Sequence, residues 1–346
     1  MRGEPRRRVG ASRFGALRAG GVVAVAVLTV GLVPGSASAR LKFEPAPTGA
    51  AITKFTWLTK NKRQADITIK TPSLPGVNPK VRLLLPKKWS QKSKKKWPIV
   101  YLYHGGNDSY VSWTRSTNIE SIAAKYDVIV AMPEGSNGSY TNWYNYGKGG
   151  PPKWEDFHIK EVIPLMERNF RASKVAAVMG NSSGGQGAMT YAARYPGKFK
   201  YAASLSGLLH IRAPFIPQFL AQINSGNGND PNAIWGRYPA DAANWKKHNP
   251  WDLAKKLRGT KIFFSSGLDG EPGPGDPTDL DPWDIGLIAE EWTGYSAKYF
   301  RDKLKAEKIP YTAHLYKKGR HNWPAWRRET NFVWPKIMQS IKAKKY

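Results

Sequence analysis

The residues best suited to chemistry lie in one short run, Gly180-Asn181-Ser182-Ser183-Gly184. A serine hydroxyl is a weak nucleophile until a base takes its proton and donors receive the charge that develops on the attacked carbonyl. The Gly-x-Ser-x-Gly spacing meets the steric half of that need, because a serine on a tight, strained turn requires neighbours without bulk. Ser183 is the rival nucleophile. Its flanks two residues away are Asn181 and Gly185, so Ser182 is preferred. The base must come from elsewhere, and the histidines after Ser182 are His210, His248, His314 and His321. His321 sits in Gly319-Arg320-His321-Asn322-Trp323, a loop after the last apolar strand pattern, whereas His314 falls inside that pattern and His248 comes too early. For the acid, Asp269 follows a strand pattern at 261–265, while Glu290 and Glu291 open the next helical stretch and could reach the same point. Backbone N–H groups of Ser183 and of Gly106, in the loop His104-Gly105-Gly106-Asn107, are the expected donors to the oxyanion.

These residues need rigid elements to position them. The apolar run 175–179 reads as a buried strand and the Ala-rich 187–194 as a helix, which puts Ser182 on a strand-turn-helix elbow with the positive end of a helix behind it. Further strand patterns stand at 65–70, 80–85, 97–104, 127–132, 201–205, 261–265 and 311–316. Helical patterns stand at 120–125, 156–170, 290–308 and 331–342. The segment 40–62 reads as a lead-in, and 211–245, rich in Gly, Asn and Pro, as an irregular inserted cap. Strands alternating with helices predict an α/β fold, a mostly parallel central sheet with helices on both faces. With the elbow, this is the α/β-hydrolase fold, as a single domain over 40–346.

Residues 1–39 are excluded from that fold. Arg6-Arg7-Arg8 precede an apolar stretch at 19–33 and then Ala37-Ser38-Ala39, the pattern of a cleaved export signal that leaves Arg40 as the first mature residue. The apolar stretch is short for a spanning helix, which needs about 20 residues, so no membrane span is expected after processing. There are no cysteines, which excludes disulfides, thiolate nucleophiles and Cys-based metal sites. The pattern calls for no metal and no cofactor. The formal net charge of +29 is compatible with adhesion to an anionic cell-envelope surface. No nucleic-acid-binding motif accompanies it.

Several spaced motifs then make a resemblance specific. Tyr140-Thr141-Asn142-Trp143-Tyr144, Lys153-Trp154-Glu155-Asp156-Phe157, the elbow, the run from Tyr201 to Leu209, and His321-Asn322-Trp323-Pro324-Ala325-Trp326 follow in one order. From about Phe55 to Lys342 the chain resembles the antigen 85 mycolyltransferases and the esterases around them. The resemblance implies a secreted serine esterase or acyltransferase. Its substrates would be an acyl ester donor and water or a sugar acceptor. It also implies a Glu-x-aromatic acid, which Glu290-Glu291-Trp292 fits, so Glu290 ranks first, Asp269 second and Glu291 third. Trehalose-holding members carry Asp-Gly-Leu-Arg where this chain has His104-Gly105-Gly106-Asn107, so their charged sugar contacts are absent and hydrolysis stands beside transfer. His104, Asn107, Trp143 and Trp323 are the expected substrate contacts. A non-catalytic envelope-binding protein on the same fold is the alternative reading.

Overall fold

The computed structural model describes residues 41–145, 152–281 and 283–346. The export signal expected at 1–39 lies outside them. Among the described residues nine strands form one sheet: β1 (Ala51–Trp57), β2 (Gln64–Lys70), β3 (Lys80–Leu84), β4 (Trp97–Tyr103), β5 (Ile129–Pro133), β6 (Ala172–Asn181), β7 (Phe199–Leu205), β8 (Lys261–Gly267) and β9 (Thr312–Tyr316). Their order is β1-β2-β3-β5-β4-β6-β7-β8-β9. Pairings from β1 to β5 through β3 are antiparallel, and every pairing from β5 through β4 to β9 is parallel. The apolar runs in β4, β5, β6 and β7 follow from this arrangement, since strands covered on both faces have no reason to alternate.

The helices are α1 (Ser112–Ser116), α2 (Ile119–Ala123), α3 (Trp154–Asp156), α4 (Ile163–Asn169), α5 (Ser183–Arg194), α6 (Ile216–Gly226), α7 (Ala242–His248), α8 (Ile285–Ala306) and α9 (Trp323–Ser340). One face of the sheet buries Ile99, Tyr101, Val178, Met189 and Phe300. The other buries Val100, Leu102, Met179, Trp334 and Ile337. A third, smaller cluster around Ile216, Trp235 and Trp245 gives the inserted segment its own core.

Four expectations need correction. The lead-in at 40–62 contains β1, an edge strand whose Thr53 and Lys54 are exposed, so its apolar pattern is weak. The helix expected over 156–170 is interrupted by a wider π turn at Phe157–Val162. The cap is not irregular throughout, for it carries α6 and α7. The last helix starts at Trp323 rather than 331, because the Asn322 side chain accepts from Ala325 N and Pro324 suits a first turn.

Three buried histidines stay neutral. His158 bonds the Tyr191 hydroxyl and the Glu134 carbonyl at 3.1 and 2.9 Å, and His248 bonds Thr141 at 2.9 Å. His210 stacks on Trp251 with centroids 4.4 Å apart. Burial pulls their pKa values down from the usual 6.5, to about 3 for His158 and His248 and about 4 for His210. The unfolded chain therefore binds protons that the folded chain refuses. Their contribution is complete above about pH 6.5 and is lost as pH falls toward the folded values, by about 2 kcal/mol for each at pH 5. The expected result is a lower midpoint of thermal unfolding at pH 5 than at pH 7. Unfolding at pH 5 should also take up roughly three protons, measured by calorimetry in buffers of different ionisation enthalpy.

Candidate active site

The elbow forms as its glycines require. Ser182 has φ 53° and ψ −127°, a strained conformation for a residue with a side chain. A Cβ on Gly180 would lie 2.3 Å from Gly184 backbone, and one on Gly184 would lie 2.4 Å from the Tyr103 carbonyl oxygen. Both positions therefore exclude any other residue. β6 delivers Ser182 at its end, and α5 begins at Ser183, so the first-turn N–H groups have no intrahelical acceptor.

The structure brings Ser182, His321 and Glu290 into one hydrogen-bonded line. His321 Nε2 lies 2.8 Å from Ser182 Oγ, and His321 Nδ1 lies 2.9 Å from Glu290 Oε2. Glu290 is fully buried. Its Oε1 accepts from Gly267 N at 2.7 Å and Ser206 Oγ at 2.9 Å, with the Tyr316 hydroxyl at 3.4 Å. Burial beside this carboxylate pushes the Tyr316 hydroxyl pKa up, which keeps it a donor. One carboxylate oxygen is thus fixed by the protein, leaving the other for the imidazole. This arrangement can hold Nδ1–H and leave Nε2 free to accept the serine proton.

Glu290 reaches the ring from the second turn of α8, which starts at Ile285 rather than at Glu290 itself. Asp269 is exposed on the loop beyond β8, and Glu291 points outward beside Gly270. Ser206, Gly267 and Tyr316 were not singled out in the sequence. Ser206 lies inside a matched run, and its φ of 50° is invisible there.

The loop carrying His321 is braced on both flanks. Asp276 accepts from Arg320 N at 3.0 Å and also from the Asn322 side chain. Asp284 grips Arg320 through two bonds of 2.7 and 2.8 Å and caps α8 by accepting from Gly286 N and Leu287 N. The Arg320 guanidinium holds the Asp284 carboxyl down at about 2. Asp284 thus ties the loop of the base to the helix that bears the acid, and Asp276 ties that loop to the segment beyond β8 through Gly273 N at 2.9 Å. Asp276→Ala should lower kcat on an activated ester about 10- to 100-fold with KM changed only a few-fold, because a small misplacement of a reacting group is that costly. Steady-state kinetics on a nitrophenyl ester checks this.

Ser182 and His321 line a cleft of about 110 Å³. Leu208, Phe219, Leu220, Ile223 and Ala289 give it an apolar wall, largely from α6. Gly106, Ser183, Asn137, Gln186 and Thr293 give it neutral polar groups. Gly106 and Ser183 both border the cleft beside Ser182, as backbone donors to an oxyanion must.

The four expected substrate contacts fare differently. His104 is buried, with Nδ1 2.7 Å from the Gly105 carbonyl and Nε2 receiving Gly135 N–H at 2.8 Å near Glu134, so it shapes the loop and does not line the cleft. Asn107, with φ 54°, is exposed and exchanges two hydrogen bonds with Asn137, which is the residue that lines the cleft. Trp143 lines a neighbouring cavity instead. Trp323 packs edge-on against Trp113 and Trp326, at 5.4 and 5.1 Å, and Trp326 in turn packs edge-on against His321 at 5.0 Å. Aromatic residues in a motif report packing as readily as contact, and these two rings satisfy packing first.

The sheet order, the elbow and the cleft at the strand ends define an α/β-hydrolase. The Esterase family model matches residues 73–331, and the chain belongs to that family. It is 31% identical over 252 residues to esterase Rv1288 of Mycobacterium tuberculosis, covering 69% of this chain and 52% of that protein, so it spans about half the length of this relative. It is 29% identical over 259 residues to the diacylglycerol acyltransferase/mycolyltransferase Ag85C of Mycobacterium avium, covering 70% of each. Among solved structures it is similar to MPT51 of Mycobacterium tuberculosis, with a TM-score of 0.63 and 22% identity over 79% of this chain and 97% of that one. It is also similar to the serine hydrolase FphF of Staphylococcus aureus, with a TM-score of 0.61 and 20% identity over 80% and 98%. At these identities the two structural likenesses speak for the fold.

Proposed function

We propose that this chain is an exported serine esterase or acyltransferase working through an acyl-Ser182 intermediate. The hydrogen-bonded line Ser182–His321–Glu290 at the cleft carries this reading. Export rests on the N-terminal sequence pattern. Ser182 Oγ attacks an ester carbonyl as His321 Nε2 takes its proton, and Glu290 supports the imidazolium. The N–H groups of Ser183 and Gly106 receive the oxyanion, each worth about 3 kcal/mol in the transition state. His321 then protonates the leaving alkoxide. Water or a second alcohol, deprotonated by the same imidazole, attacks the acyl-serine and restores Ser182.

The apolar wall from α6 suits the acyl chain. Its cleft, about 110 Å³, is smaller than the roughly 150 Å³ cavity that holds a benzene. A series of p-nitrophenyl esters tests the reading. Butyrate should turn over faster than palmitate, with a burst of nitrophenol matching accumulation of acyl-enzyme. Absence of turnover on every ester would favour a binding protein on the same fold.

A further inference from the structure

At the opposite end of the sheet from Ser182 lies an open groove of about 550 Å³. Ser182 and Ser206 directly follow the ends of β6 and β7, whereas the groove is lined where β7 and β8 begin, at Tyr201 and Lys261. These two residues are register partners on parallel strands, so their side chains stand on one face of the sheet. It is the face covered by α9, because Tyr201 belongs to the same buried cluster as Trp334 and Ile337. Lys336 and Gln339, in the last turns of α9, line the groove from that side.

Tyr201 is only 4% exposed, yet among the described residues its hydroxyl makes no hydrogen bond within the protein. A buried phenol ordinarily has a partner, and this one stands on the wall of the groove. Burial lifts its pKa to about 12, so the hydroxyl is a donor at neutral pH. Lys261 and Lys336 are exposed, and among the described residues neither pairs with a carboxylate. Lys336 Nζ instead stands 4.8 Å from the centre of the Phe332 ring. No acidic residue lines the groove among the described residues. Between these donors Ile262 and Ile309, each 3% exposed, supply an apolar floor.

A phenol O–H, two ammonium groups and the amide NH₂ of Gln339 are all donors. Such a set fits an anion: a cation would be repelled, and a neutral molecule would leave both ammonium groups without a charge partner. A bare inorganic anion would leave the apolar floor uncovered. We propose that this groove is a second binding site, separate from the serine centre, for an organic carboxylate with an apolar body. The carboxylate accepts from the Tyr201 hydroxyl and from Lys261 and Lys336, and the body covers Ile262 and Ile309. Exposed ammonium groups alone hold a carboxylate weakly and without selectivity, because water and salt screen them. The buried phenol and the apolar floor are what select this ligand. None of these residues borders the cleft of Ser182, so the site stands independently of the serine reading.

Saturation-transfer NMR on the full protein tests this, with benzoate, octanoate, benzamide and acetate as probes. At least one of benzoate and octanoate should bind saturably. Benzamide, which has the body without the charge, and acetate, which has the charge without the body, should each bind about tenfold more weakly or worse. Replacing both lysines, Lys261→Gln with Lys336→Gln, should weaken the carboxylate about tenfold. Tyr201→Phe, which removes a single oxygen, should weaken it about threefold or more. Both lysines are exposed and the phenylalanine keeps the ring, so the variants should fold and turn over p-nitrophenyl butyrate as the parent does. If the lysine variant misfolds, Tyr201→Phe still decides. Binding of neither carboxylate overturns the proposal, as does binding unchanged in Tyr201→Phe or in a folded lysine variant. Acetate that matches benzoate would show a surface counter-ion only, and benzamide that matches it would show a merely apolar groove; either result also overturns the proposal. Turnover is not the readout, so failure of the serine reading would leave a positive result standing.

Discussion

Ser182→Ala should abolish ester turnover, lowering kcat on the order of 10⁴-fold or more, and should leave no acyl-enzyme. The hydroxyl is the atom that becomes covalently bound, and without it the remaining donors only help water attack. The fold should survive. Among the described residues the Ser182 side chain makes no hydrogen bond except the 2.8 Å bond to His321, and alanine removes one oxygen from a turn already strained for a Cβ. A near-native circular dichroism spectrum with residual activity near background is the expected pair of results. Retained turnover in Ser182→Ala, with loss in Ser183→Ala, would move the nucleophile one residue along.

Glu290→Gln should lower kcat about 10³- to 10⁴-fold with Ser182 and His321 in place. The amide still fills the buried site, but its carbonyl and amino ends cannot both satisfy the neighbours. Oε1 now accepts from Gly267 N–H and Ser206, and Oε2 faces His321 Nδ1. If the glutamine oxygen stays with Gly267 and Ser206, its NH₂ faces the ring and forces the proton onto Nε2, the tautomer that cannot deprotonate serine. Asp269→Asn and Glu291→Gln should stay within a few-fold of the parent, because both residues are exposed and neither touches the ring. Kinetics of the three variants on one nitrophenyl ester decides between them. A crippled Asp269→Asn beside a near-normal Glu290→Gln would reverse the assignment.

The elbow could be read from sequence because its glycines stand at fixed spacing around Ser182: Gly180 is dictated by the backbone of Gly184, close in sequence, and Gly184 by the Tyr103 and His104 carbonyls at the end of β4. β4, β5, β6 and β7 announce themselves by apolar runs. The acid could not be settled that way. A carboxylate reaching His321 can start from the β8 loop or from α8, and only the packing of α8 on β8 brings Glu290 under the ring while Asp269 swings out. The Ser206 contact rests on a positive φ, which a serine codon does not disclose. Trp143 and Trp323 stand off the cleft, since large aromatics in shared motifs serve packing as well as binding. β1 was missed because one side of an edge strand faces solvent and carries lysine and threonine.

The most direct test of the Ser182–His321–Glu290 assignment is the intact mass and peptide map of the protein after exposure to diethyl p-nitrophenyl phosphate. In that reaction an activated serine oxygen displaces nitrophenolate from phosphorus and keeps the diethyl phosphoryl group. One adduct per chain is expected, on the peptide containing Ser182 and with fragment ions placing it on that residue. It should be absent in Ser182→Ala and slowed by orders of magnitude in His321→Ala. An adduct on Ser183, or equal labelling in Ser182→Ala, would contradict the assignment, and so would an unlabelled parent protein that nonetheless turns over esters.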